Sequence, residues 1–200
     1  MQKKFNARKL AVTAVLGGVA TVLMFLSFSL PMFIPPFIKL DFSELPALIA
    51  AFSMGPLSGV IVCLVKNLVN AIVTSTGGVG ELCNFLMGAT FVLPAGLIYK
   101  HKKSLKGAVI ASLVGAAVMA VCSLPINYFI SYPAYTVFLG FPLEAILDMY
   151  RLLNPNVNTL FDALLWFNVP FTFFKGLCDV LLTFLVYKRL SPVLKKLANI

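Results

Sequence analysis

Apolar runs of about 20 residues recur along the chain, each nearly free of charge and each ended by proline, glycine or basic residues. That is the length a helix needs to cross a hydrocarbon core about 30 Å thick. The first run covers about 10–30 and is closed by Pro31, Pro35 and Pro36, which remove donors and clash with the preceding turn. A stiff loop over 32–42 follows. Ser43-Glu44-Leu45-Pro46 then offers an N-cap serine, an early acid and a first-turn proline for a short helix over about 44–54. Gly55-Pro56 turns the chain into a third helix over about 57–73, which Thr74-Ser75-Thr76-Gly77-Gly78-Val79-Gly80 breaks. Further helices are predicted over about 81–99, with a kink at Pro94, and over about 107–130. The segment 131–159 is mixed, with a short surface helix expected over 142–153. The last helix, about 160–188, exceeds a bare crossing and calls for tilt or a kink at Pro170. The predicted class is all-α: one polytopic integral membrane domain over residues 1–200, with six transmembrane helices.

Composition narrows the class. Of 200 residues, 60% are hydrophobic and 12% charged, with mean hydropathy +0.96, against the roughly half-apolar, quarter-charged make-up of a soluble domain. Neither Gly-Lys-Ser nor Gly-Lys-Thr occurs, so the chain has no P-loop with which to hydrolyse a nucleotide. Lys3, Lys4, Arg8 and Lys9 precede the first run as in a signal peptide, but the run is too long and lacks a small-residue cleavage site, so it is read as a span.

The formal net charge of +9 would suit nucleic acid, yet its placement argues for membrane orientation instead. With the N-terminus inside, 12 of the 16 Lys and Arg fall on the inner side, at the N-terminus, in the loop 100–106 and from Lys188 onward. Asp41, Glu44, Glu81, Glu144, Asp148 and Asp162 fall on outer loops or helix ends. Both termini are therefore expected in the cytoplasm. Cys63, Cys83, Cys122 and Cys178 lie within apolar segments without CxxC spacing and read as small buried hydrophobes, with no metal site.

Two lysines fall inside predicted helices, Lys66 and Lys175. A central lysine costs roughly 2.5–3.5 kcal/mol on insertion scales, so something must compensate. Asp179 is one turn beyond Lys175 and could pair with it on the same helix face. Lys66 has no acid at i±3 or i±4, leaving snorkelling or a bond to a carbonyl. Amides and hydroxyls continue the polar pattern at Asn67, Asn70, Asn84, Asn127, Asn168 and Thr172. By topology Asn127, Thr172, the loop 37–41 and the glycine loop 75–80 lie in the outer half of the membrane. They could line one pocket, with Phe33, Phe37, Tyr128, Phe129, Trp166 and Phe171 as its walls. Flat apolar faces with a few amide and ammonium donors suit a planar heteroaromatic carrying carbonyls and ring nitrogens. Gly77, Gly78 and Gly80 could cradle an anion or hydroxyls at a helix start, but Glu81 argues against phosphate and for sugar-alcohol hydroxyls. Ala7, Ala11, Ala14 and Gly18 make a smooth stripe on the first helix, for internal packing or for another membrane subunit.

These residues carry a resemblance. Lys39-Leu40-Asp41-Phe42-Ser43-Glu44-Leu45-Pro46, Phe52-x-x-Gly55-Pro56-x-x-Gly59, Lys66-Asn67-Leu68, Asn84-Phe85-Leu86, Asn127-Tyr128-Phe129 and Pro170-Phe171-Thr172-Phe173-x-Lys175-Gly176 resemble, in order and over nearly the whole chain, the substrate-binding S components of energy-coupling factor (ECF) vitamin transporters, most closely the riboflavin-specific kind. The family often carries Asn where this chain has Thr172. The resemblance implies a six-helix bundle in a bacterial cell membrane that binds riboflavin near its outer surface, as cargo rather than as a catalytic cofactor. It implies as partners a transmembrane coupling T subunit and two ABC-type ATPases. It also implies a site made by the backbone of Leu40, by Asp41, Asn84, Asn127, Tyr128, Thr172 and Lys175, and by Gly78 and Glu81 near the ribityl chain, with Ala7, Ala11, Ala14 and Gly18 meeting the T subunit. S components for thiamine, folate or biotin share the architecture. A stand-alone permease is the reading from another class, though no inverted repeat is visible. An intramembrane enzyme finds no catalytic motif, since His101 stands alone in a basic loop.

Overall fold

The computed structural model describes residues 7–198, with side chains described over 7–186, so Lys3, Lys4 and the side chains of the last basic cluster lie outside the described residues. The helices are α1 (Ala7–Phe25), α2 (Glu44–Met54), α3 (Pro56–Asn70), α4 (Val79–His101), α5 (Leu105–Ile126), α6 (Tyr132–Phe138), α7 (Leu143–Arg151), α8 (Leu160–Ala163) and α9 (Val169–Ala198). A two-stranded antiparallel ribbon joins β1 (Phe28–Ser29) to β2 (Lys39–Leu40), pairing Phe28 with Leu40 and Ser29 with Lys39. The first helix therefore stops at Phe25 rather than at Leu30. Residues 28–29 take an extended partner across the proline loop, which satisfies their backbone without a helix.

Among the described residues, five helical stretches are long and apolar enough to cross a membrane: Ala7–Phe25, Pro56–Val73, Val79–His101, Leu105–Phe138 and Leu160–Val186. The longest exceed their α-helical elements because α-helix passes directly into π-helix. Residues Asn127–Ser131 bridge α5 to α6, and Leu164–Asn168 bridge α8 to α9. Prolines stand beside both bridges, Pro125 before the first and Pro170 after the second. Each lacks an N–H and so breaks the i→i−4 ladder where the wider turn forms.

Helix α2 has 11 residues and spans only about 16 Å. Ten of the 11 are buried, because α2 occupies the centre of the bundle and packs on α1, α3, α4 and α9. Its sequence suits that place: Ala47, Ala50 and Ala51 admit neighbouring backbones, while Leu48, Ile49 and Phe52 fill the core. Gly55 holds φ at +101° in the turn to α3, and a Cβ at Gly59 would fall 2.7 Å from the Ala47 carbonyl oxygen. Together they let two helices double back almost without a loop. Around this centre the exposed surface is aliphatic and aromatic, as at Val15, Val22, Val121, Trp166 and Leu181. Cys63 and Cys83 are buried and Cys122 and Cys178 half-buried, all as free thiols.

Candidate functional site

Because α2 is short, one half of the bundle is left open, and a cavity of about 460 Å³ occupies it. Its lining comes from the end of α1, the loop before α2 and the first residue of α2, α3, the loop before α4, α4, α5, α6, both π bridges and α9.

At one side stands a cluster of four charges. Lys175 donates to Asp41 Oδ2 at 2.9 Å and lies 3.2 Å from Glu44 Oε2, while Lys66 meets the other Glu44 oxygen at 2.5 Å. Ser43 joins them: its N–H donates to Asp41 Oδ1 at 2.9 Å, its hydroxyl donates to the same oxygen, and that hydroxyl accepts from Lys66. The sequence reading made Ser43 an N-cap, but its hydroxyl serves the charges and caps no backbone N–H. Glu44 bridges the two lysines and was read only as a helix-start acid. The signal that could have found it was Lys66, which lacks a partner on its own helix and so demands one from another. Burial alone would raise the Asp41 carboxyl, but the ammonium groups of Lys175 and Lys66 and the bonds from Ser43 and Lys175 outweigh it and hold the group well below the usual carboxylate range.

The Lys175–Asp179 pair that helix spacing allowed is absent, and this arrangement stands in its place. Asp179 is fully buried, and neither of its oxygens takes a hydrogen bond. Helix spacing permitted the intrahelical pair, yet Lys175 instead bonds Asp41 from the loop before α2 and pairs with Glu44 of α2.

On another side Tyr132, Tyr150 and Asn168 close a ring of hydrogen bonds. The Tyr150 hydroxyl donates to Asn168 Oδ1, and Asn168 Nδ2 donates to the Tyr132 hydroxyl at 3.2 Å, leaving Tyr132 to donate to Tyr150. Each hydroxyl thus both gives and takes within the ring, while the Asn168 amide gives from Nδ2 and takes at Oδ1. Burial pushes the Tyr150 hydroxyl far above its ordinary value, which keeps it a neutral donor. Phe37 stands edge-on to both tyrosines, 6.3 Å from each centroid, and ties the loop before α2 to α7.

A third side is built by the glycine loop. Gly78 takes φ +88° and starts α4, which turns Glu81 back toward the loop. Glu81 Oε2 accepts from Thr74 and Thr76 hydroxyls at 2.8 and 2.9 Å. Asn84, three residues on, shares that helix face. Its Oδ1 and the Ser131 hydroxyl are buried without a partner in the protein, and both residues line the cavity.

Of the residues singled out in the sequence, Asp41, Glu81, Asn84, Asn127, Thr172 and Lys175 line the cavity together. Leu40 is buried in the ribbon beside it, Gly78 supplies the turn that starts α4, and Tyr128 is half-exposed against Phe129. None of these three residues is in the lining. Of the expected aromatic walls, Phe37 and Phe171 are there, whereas Phe33, Phe129 and Trp166 are exposed on the outside. Tyr132, Tyr135, Asn168 and Met119 line it without having been predicted to. Ala7, Ala11, Ala14 and Gly18 are all exposed, and nothing lies within 4 Å of a Cβ placed on Gly18, so the stripe is not internal packing.

The combination of amides, tyrosines, hydroxyls, carboxylates and two ammonium groups, with Phe37, Met87, Met119 and Phe171 between them, can hold a planar molecule by its edge and a hydroxylated chain by its oxygens. Residues 8–187 match the family model of the ECF transporter substrate-specific component. The chain is 36% identical over 194 residues to the riboflavin transporter RibU of Staphylococcus aureus (strain TCH60), covering 95% of this chain and 94% of that one. It is 35% identical over 190 residues to the riboflavin transporter FmnP of Bacillus subtilis (strain 168), covering 94% of each. The solved S component of a bacterial ECF transporter superposes with a TM-score of 0.73 at 34% identity, over 94% of this chain and 97% of that chain.

Proposed function

Since the chain belongs to the substrate-specific components of ECF transporters, we propose that it captures riboflavin from outside the cell and presents it for ATP-driven import by partner subunits. The observation that carries this reading is the cavity, in which unpartnered amide and hydroxyl atoms and the Lys175 ammonium surround a space bounded by Phe37, Phe171 and Tyr132. Relatives named as riboflavin transporters, alike over nearly their whole length, support the choice of vitamin.

In this reading the isoalloxazine edge, with its alternating carbonyls and imide N–H, meets Asn84, Asn127 and Thr172. Lys175 donates one N–H to Asp41 and pairs electrostatically with Glu44, so it keeps donor capacity for a ring carbonyl or nitrogen. Asp41 fixes the ammonium, Leu40 places its backbone beside the ring, and Tyr128 borders the entrance. The ribityl hydroxyls meet Glu81 and the loop that Gly78 shapes. Riboflavin is cargo, and no catalytic cofactor or chemical step is assigned to the chain. The domain is a single six-span unit in a bacterial plasma membrane. Helix α2 is its short central member, both termini are cytoplasmic, and Lys100, Lys102, Lys103 and Lys106 are on the inner face. The exposed stripe Ala7, Ala11, Ala14 and Gly18 meets a transmembrane T subunit, which couples the chain to two ABC-type ATPases.

The test is direct. Purified in detergent, the protein is expected to carry flavin absorbance, and the ligand-free form to quench riboflavin fluorescence at one site. Equal or tighter binding of thiamine or folate would overturn the vitamin assignment. Reconstituted alone it should bind without accumulating riboflavin; accumulation against a gradient without ATPases would favour a permease. Ala14→Leu with Gly18→Leu should leave binding unchanged and weaken capture of the T subunit, and an unchanged capture would dismiss the stripe as the docking face.

A further inference from the structure

Glu81 differs from the other acids of the cavity. Asp41 and Glu44 share Lys175, and Glu44 has Lys66 as well. Glu81 makes no ion pair among the described residues, although it is buried to 8% exposure and lines the same space. The Thr74 and Thr76 hydroxyls hold its Oε2, and Oε1 carries no bond from the protein. The side chains beside it on the loop and the first turn of α4 are neutral: the hydroxyls of Thr74, Ser75 and Thr76 and the amide of Asn84. Lys39, the other lining cation, is exposed, where water screens it. The cavity therefore contains three carboxylates against Lys39 and a Lys175 that is already engaged twice.

A carboxylate oxygen with open lone pairs accepts from hydroxyl donors, and it repels an anion at short range in a partly desolvated site. A phosphate monoester carries a charge of about −1.5 to −2 at neutral pH and offers oxygens that mostly accept. We propose that Glu81 sets the cavity's choice of a neutral polyhydroxyl chain over a phosphorylated one, so that riboflavin is taken and its 5′-phosphate, FMN, is disfavoured. This rests on the riboflavin reading above and adds a specificity-determining residue to it.

The experiment measures dissociation constants of riboflavin and FMN for the full chain in detergent and for Glu81→Gln and Glu81→Ser. The wild type should bind FMN at least tenfold more weakly than riboflavin. Each neutral variant should bind riboflavin somewhat more weakly and FMN more tightly, shrinking the ratio by about tenfold or more, as expected for one unit charge facing another in partly desolvated surroundings. Equal affinities in the wild type, which need no variant to measure, would overturn the proposal, as would a ratio that survives in a folded variant. Failure of the wild type to bind riboflavin at all would instead strike the function reading on which it stands.

Discussion

Lys66 and Lys175 are two buried cations on either side of one carboxylate, and the two sides of Glu44 are different places. Lys66, on α3, is sealed: its side chain has no exposure, and its bonds run to Glu44 and Ser43, both also buried. Lys175, on α9, has 11% of its side chain exposed and lines the cavity. The same Glu44 thus anchors a charge that can only hold helices together and a charge that can also meet a ligand. An intramembrane lysine is therefore not a site by virtue of its cost; what makes it one is an open face left after its counter-ions are counted.

Breaking the sealed side should do the most damage to the fold. Lys66→Met leaves two buried carboxylates with only Lys175 between them, and a loss of about 3–5 kcal/mol is expected. It should read as a large drop in melting temperature, with near-normal riboflavin affinity in whatever fraction folds. A normal Tm would mean that the α3 side is not sealed. Breaking the open side should divide the effect. Lys175→Met removes one charge-assisted bond to the vitamin, worth about 1.5–3 kcal/mol or roughly ten- to hundredfold in affinity, and costs less stability because water can reach Asp41 from the cavity. Unchanged affinity with a lowered Tm would make Lys175 as structural as Lys66. The smallest effect is expected at Asp179→Asn, within about 1 kcal/mol, since no cation or donor bonds this carboxyl. A large melting loss there would restore the Lys175–Asp179 pair that helix spacing suggested.

How much of this was legible varies by residue. Apolar length located the long helices, and Gly55-Pro56 located the turn after α2, because both are local signals. Asp41, Glu81, Asn84, Asn127, Thr172 and Lys175 stood out because polar groups in an apolar chain need a reason. Their grouping did not follow from that. Asp41 and Lys175 are 134 residues apart, and an acid one turn from the lysine looked like the simpler partner. Glu44 was hidden by doing two things at once, since an acid in the first turn of a helix already has a helix-dipole explanation. The Tyr132, Tyr150 and Asn168 ring joins three elements, and no spacing rule connects them. The outward turn of Phe33, Phe129 and Trp166 was equally unreadable, because an aromatic residue suits lipid and cavity alike.

The π bridges carry a consequence for how this protein tolerates change. Asn127 and Asn168, which both face the cavity, sit in turns that hold one more residue than an α-helix would. Deleting one residue from either bridge would restore an ordinary ladder and swing everything beyond it by about 100° around the axis. In α5 that would carry Tyr132 away from its ring; ahead of α9 it would turn α8 and its Thr159 capping box, which accepts from Asp162 N–H, out of register. Length at these two points is thus as strictly specified as side-chain identity. A homologue one residue shorter there would have to present a different set of side chains to whatever it carries.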